Sequence, residues 1–140
     1  TRLVLPKMVE RGLGGVTNIS SVNGIQALGN PAYSAAKAGL ISFTQTVATE
    51  YGPKGIRCNV VLPGTVETPV WKQRVEARPD VFEKVKSWYP VGRVGRPEDI
   101  AAAVAFLSAD EAGFVNGASL AVDGGLTAGS FKMIKDMIGK

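Results

Sequence analysis

The stretch VTNISSVNGIQALGNPAYSAAKAGL, residues 16–40, passes from a β-branched run through a loop rich in Gly and Asn into a run of small residues. VTNIS follows the turn residues Gly14 and Gly15 and reads as a short buried strand. Residues 21–30 form a loop, and Pro31 suits the first turn of a helix. From there small and apolar residues recur at helical spacing until Gly52 and Pro53 stop the pattern. IRCNVVLPG, residues 56–64, is apolar almost throughout, as expected for a strand of a parallel sheet with helices on both faces.

Outward from this core, TRLVLPKMVERG has apolar helical periodicity, with Pro6 bending or restarting the helix. The pattern weakens over residues 65–94, where PVWKQRVEA and PDVFEKVKSWY read as short helices joined by Arg78 and Pro79, a mobile flap. RPEDIAAAVAFLSAD is a helix with Pro97 near its start and Glu98 and Asp99 placed against the positive end of its dipole. ASLAVD reads as a strand closed by a turn at Gly124 and Gly125, and SFKMIKDMIGK as a short amphipathic helix. Strand and helix alternate, which predicts an α/β layered sheet. Ligands of such sheets bind beyond the carboxyl ends of the strands, so chemistry is expected in the loops after Ser20 and Leu62.

The chain has 140 residues, 45% hydrophobic and 20% charged, ordinary values for one globular domain. Its formal charge of +4 comes from scattered Lys and Arg without interleaved aromatics, which argues against a nucleic-acid binder. No apolar run reaches the roughly 18 residues that suggest a membrane span, and no secretory signal opens the sequence, so a soluble, cytoplasmic protein is expected. The lone Cys58 lies in an apolar run and reads as a small buried hydrophobe. No metal site is expected.

Tyr33 and Lys37 stand one turn apart and can share a helix face. The pair reads either as an exposed surface pair or as chemistry, in which an ammonium beside a phenol favours the phenolate and makes it a general acid or base. A hydroxyl from the preceding loop would then hold a substrate oxygen.

NISSVNG, YSAAK, IRCNVVLPGTVETP, GRPEDIAAAVAFL and NGASLAVDGG, in that order and at these spacings, resemble the second half of the short-chain dehydrogenase/reductase family, from about Pro6 to Leu126. The resemblance implies a Rossmann-like, doubly wound parallel sheet, a nicotinamide cofactor, NAD or NADP, and hydride transfer between an alcohol and a carbonyl. It implies Tyr33 as acid/base, Lys37 as the group that favours its phenolate and bonds the nicotinamide ribose, and Ser21 as a hydrogen bond to the substrate oxygen. Ser21 stands one residue closer to Tyr33 than the family's usual spacing, at which Ser20 falls, but Ser21 keeps the SxxG end of its block. The resemblance places Asn18 and Ile19 beside the nicotinamide, with Pro63, Gly64, a backbone group of Val66 and the Thr68 hydroxyl around its carboxamide. A plain turn with a helix cap explains PGTVETP equally well taken alone. Asn59 reads as structural, Asp123 as part of a turn, and Trp71, Trp88 and Tyr89 as either pocket lining or flap packing.

The family's glycine-rich phosphate turn, its cofactor-selecting residue and its active-site Asn have no counterpart in these residues. The chain is therefore expected to be the catalytic and oligomerising half of a single Rossmann-like domain, without the N-terminal dinucleotide-binding half and inactive alone. The Ala-rich helix with Tyr33 and the helix over residues 98–108 carry apolar surface beyond the need of one sheet face, and a homotetramer is expected. The competing expectation is a non-catalytic subunit-interaction module on the same fold.

Overall fold

The computed structural model describes residues 1–139. Three parallel strands, β1 (Gly14–Ile19), β2 (Ile56–Pro63) and β3 (Ser119–Val122), lie in that order across the sheet. Gly14 pairs with Ile56 and Ile19 with Val61, while Val60 pairs with Ser119 and Pro63 with Val122. The central strand is buried along most of its length, which matches its apolar composition.

Helix α1 (Leu5–Arg11) precedes β1, and Pro6 sits in its first turn rather than bending it. Helix α2 (Pro31–Tyr51) begins at Asn30, whose side chain accepts a hydrogen bond from the Tyr33 amide at 3.3 Å. Asn30 adopts φ 50°, a left-handed conformation that Asn tolerates better than most residues. Short helices α3 (Lys72–Ala77) and α4 (Val81–Lys86) form the flap, as the sequence suggests, and neither has a side-chain cap. Helix α5 (Pro97–Ser108) follows, and α6 (Phe131–Ile138) closes the described chain.

Successive strand residues face opposite sides, and the two sides meet different helices. Asn18, Cys58 and Val60 face α2: Asn18 Nδ2 donates to Thr44 Oγ1 at 2.9 Å, and Cys58 packs with Leu5, Val47, Ala48 and Ile56. Thr17, Arg57 and Asn59 face α5 and the segment after it. Thr17 meets the Ser108 hydroxyl at 3.3 Å, and Arg57 donates to the carbonyls of Leu107 and Ala109 at 2.8 and 3.0 Å. Asn59 accepts from the Ala118 amide and donates to the Val115 carbonyl, both at 2.9 Å, and so ties the approach to β3 onto β2. The sheet is therefore covered on both faces. Burial pushes the Cys58 thiol above its ordinary pKa, which keeps it protonated. No helix among the described residues is long and apolar enough to cross a membrane.

Candidate active site

The carboxyl ends of β1 and β2 open onto a cleft of about 550 Å³, whose lining includes Ser21, Asn23, Tyr33, Gly64, Val66 and Trp71. A larger concavity of about 790 Å³ lies at the amino ends of the strands, around Gly14, Gly55 and Phe114. The smaller cleft is the one that brings the candidate acid/base and hydroxyl together, at the strand ends where α/β sheets bind ligands.

Alternation along the end of β1 sends the two serines apart. Ser20 is buried, and its hydroxyl donates to the Lys37 carbonyl at 2.7 Å. Ser21 lines the cleft; its oxygen accepts from the Asn23 amide at 3.2 Å and lies 3.3 Å from Asn23 Oδ1. A serine hydroxyl rotates freely, so Ser21 can redirect its proton or a lone pair toward a bound oxygen.

Lys37 extends along the same helix face as Tyr33, with Nζ at 5.5 Å from the centroid of the Tyr33 ring. The ammonium donates to the Ile19 carbonyl at 3.0 Å. Strand end and helix are thus clamped in both directions: the Lys37 side chain reaches the β1 backbone and the Ser20 side chain reaches the α2 backbone. Gly24 completes the contact. A Cβ there would stand 3.0 Å from the Lys37 carbonyl carbon and oxygen and 2.9 Å from Ile41 Cδ1, so a side chain at this position would crowd the α2 backbone.

Beyond β2, Gly64 donates to the Val122 carbonyl at 3.2 Å, and the Thr65 amide donates to the Tyr89 hydroxyl at 2.7 Å. Gly95 donates to the Thr65 carbonyl at 2.8 Å and accepts from the Glu67 amide at 2.9 Å. This parallel bridge uses the groups flanking Val66 and leaves the N–H and C=O of Val66 directed away from Gly95. Thr68 opens the 3₁₀ turn Pro69–Trp71 without a side-chain cap bond, so its hydroxyl is not used to start that turn. The Asp123 carboxylate fixes the next turn, accepting from the amides of Gly125 and Thr127 and from the Thr127 hydroxyl.

The structure gathers Ser21, Tyr33, Gly64 and Val66 around the cleft, with Lys37 beneath Tyr33; Thr68 follows Val66 shortly after in sequence and is not part of the lining. It gives Asn18 a different setting: the side-chain amide is turned into the layer between sheet and helix, bonded to Thr44. Ile19 contributes the carbonyl that holds Lys37. Of the flap aromatics, Tyr89 is buried under the Gly64 turn, Trp71 lines the cleft and Trp88 is exposed beside Lys132. Sequence reading passed over Arg74, which lines the cleft; its spacing of three from Trp71 is the available signal, weakened by the poor periodicity of the flap.

Residues 1–127 match the family described as enoyl-(acyl carrier protein) reductase. An uncharacterised oxidoreductase of Schizosaccharomyces pombe is 53% identical over 137 residues, 97% of this chain and 53% of its own length. A crystal structure of an oxidoreductase of the short chain dehydrogenase/reductase family from Burkholderia thailandensis is 52% identical with a TM-score of 0.95, covering 98% of this chain and 54% of that one. A structure described as a 2-deoxy-D-gluconate 3-dehydrogenase of Agrobacterium tumefaciens, with bound NADP, is 37% identical with a TM-score of 0.83 over 91% of this chain and 52% of its own. The chain spans about half the length of these relatives. With a doubly covered parallel sheet and matches across nearly all of its residues, the chain belongs to the short-chain dehydrogenase/reductase family.

Proposed function

We propose that this chain is the catalytic and oligomerising half of an NAD- or NADP-dependent oxidoreductase that interconverts an alcohol and a carbonyl compound. The observation that carries the reading is the shared cleft of Ser21 and Tyr33 with the Lys37 ammonium held under the Tyr33 ring. The donor set fits a nicotinamide nucleotide: an ammonium suited to ribose hydroxyls at Lys37, a free backbone edge at Val66, and a hydroxyl at Thr68. NADP in the Agrobacterium relative supports the same class of cofactor here.

When bound, the nicotinamide supplies the hydride chemistry that no protein side chain provides. The remaining work belongs to the chain. In the oxidative direction Tyr33 would accept the hydroxyl proton of the alcohol. In the reductive direction Tyr33 returns that proton to the carbonyl oxygen. Ser21 holds the same oxygen in line, and Lys37 favours the charged form of the phenol by its positive charge while the Ile19 carbonyl fixes its position. The phosphate-bearing half of the cofactor needs residues that this stretch does not supply, so residues 1–140 alone are expected to be inactive.

The exposed Phe43 on α2 and Phe106 on α5 support association through these helices, and we propose a homotetramer built on two-fold interfaces in the cytoplasm.

The test is Tyr33→Phe in the full-length protein. The expected result is a fall in kcat of about a hundredfold or more, with cofactor affinity within a few fold, because the lost proton transfer belongs to the transition state. Turnover close to wild type would remove the assignment.

A further inference from the structure

The cleft that holds Ser21 and Tyr33 has one charged side chain in its lining, Arg74. No carboxylate lines it with Arg74, and among the described residues Arg74 forms no ion pair, whereas Lys84, Lys86 and Arg93 each have an acidic partner. Its guanidinium lies 4.9 Å from the centroid of the Trp71 ring, and Trp71 in turn meets the ring of Phe82 at 5.4 Å. An arginine stacked on an aromatic face is oriented while its N–H donors stay available, the state that suits a planar or tetrahedral oxyanion. Leu28, Val70 and Leu126 add apolar surface to the same cleft.

We propose that Arg74 is a specificity-determining residue, and that the substrate of this site is an alcohol or carbonyl compound carrying an anionic group, a carboxylate or a phosphate, away from its reacting carbon. The inference rests on the oxidoreductase reading of the site. We assign the anion to the substrate rather than to the dinucleotide because Arg74 lines the same cleft as Ser21 and Tyr33, the groups proposed to hold the reacting oxygen.

The experiment uses the full-length protein with NAD and NADP and compares matched probes: lactate and 3-hydroxybutyrate against their methyl esters, and glycerol 3-phosphate against glycerol. The expected result is a kcat/KM at least about tenfold higher for the charged member of an accepted pair, the range of a hydrogen bond to a charged group. Arg74→Gln is expected to bring that ratio to within about twofold by lowering kcat/KM for the charged member. Equal or better turnover of the uncharged members by the wild type would overturn the proposal, as would retention of the preference in Arg74→Gln. A rise in cofactor KM without a change in preference would assign Arg74 to the cofactor's phosphates and overturn it too. If only neutral alcohols are oxidised, the anionic substrate is excluded while the oxidoreductase reading stands. Tyr33→Phe, assayed on the alcohol that is accepted, decides that reading separately.

Discussion

The loop that carries Ser21 and the flap that carries Arg74 line a single cleft, and they are held in opposite ways. On the loop side, Ser20 and Ser21 are buried, the Ser20 hydroxyl and the Lys37 ammonium bond backbone groups in both directions, and Gly24 brings the loop against α2. On the flap side, no residue from Pro69 to Trp88 is buried, and α3 and α4 lack side-chain caps. The flap is anchored at its ends, by the Val66 bridge to Gly95 and by Tyr89 beneath Gly64. The contrast separates two tasks. On the proposed function, groups that would meet one reacting atom are fixed by buried hydrogen bonds, while groups that would select among substrates lie on a segment that buries no residue of its own.

The largest expected effect is on stability. Ile56→Ala, in the fully buried cluster with Val47 and Cys58, is expected to cost about 2–5 kcal/mol in denaturant unfolding. Phe82→Ala in the half-exposed flap is expected to cost less than half as much and to act on substrate KM instead. Equal losses at the two positions would show that the flap is as much part of the cooperative core as β2.

The next effect sharpens the clamp. Ser20→Ala is expected to lower kcat about tenfold at a temperature well below unfolding, because α2 and with it Lys37 lose their register against β1. Thr46→Val removes an exposed hydroxyl of the same helix, one that donates to Ser42 at 3.1 Å, and is expected to keep kcat within about twofold. If both variants lose activity equally, the Ser20 bond is a general support of α2 and not a positioning device.

The smallest effect lies at the flap's far anchor. Arg93 donates through both terminal nitrogens to Asp99, at 2.6 and 2.9 Å, and the Arg96 amide adds a third bond. The Arg93 guanidinium, followed by that amide, holds the Asp99 carboxyl well below the ordinary carboxylate range. A lowered carboxylate pKa contributes stability that is complete above the ordinary value and is lost as pH falls through the folded one. Tm is therefore expected to fall slightly more steeply below about pH 4 in the wild type than in Asp99→Asn. Identical acid profiles would mean that this exposed pair contributes nothing measurable.

The same division governs what was legible in the sequence. Helix α2, strand β2 and helix α5 announce themselves through period and composition, because helical spacing and unbroken apolar runs arise from burial against a sheet. The flap shows its short helices only faintly, since nothing beneath it imposes a period. Adjacent serines on a strand end must diverge, and that much follows from alternation. Which of them meets the cleft depends on the face that α2 covers, a tertiary fact. For the same reason Asn18, on the face shared with Ser20, turns to Thr44. Arg74 escaped notice because one arginine among 16 basic residues becomes distinctive only when the cleft around it is seen to lack any other charge.

Cys58, the chain's single cysteine, lies fully buried in the layer between β2 and α2 with its thiol kept protonated. This stretch therefore presents a silent background to thiol-directed dyes. A cysteine introduced on the exposed side of α3 would be its one labelled position, and a fluorophore there would report on the flap beside the cleft without first removing a native thiol from these residues.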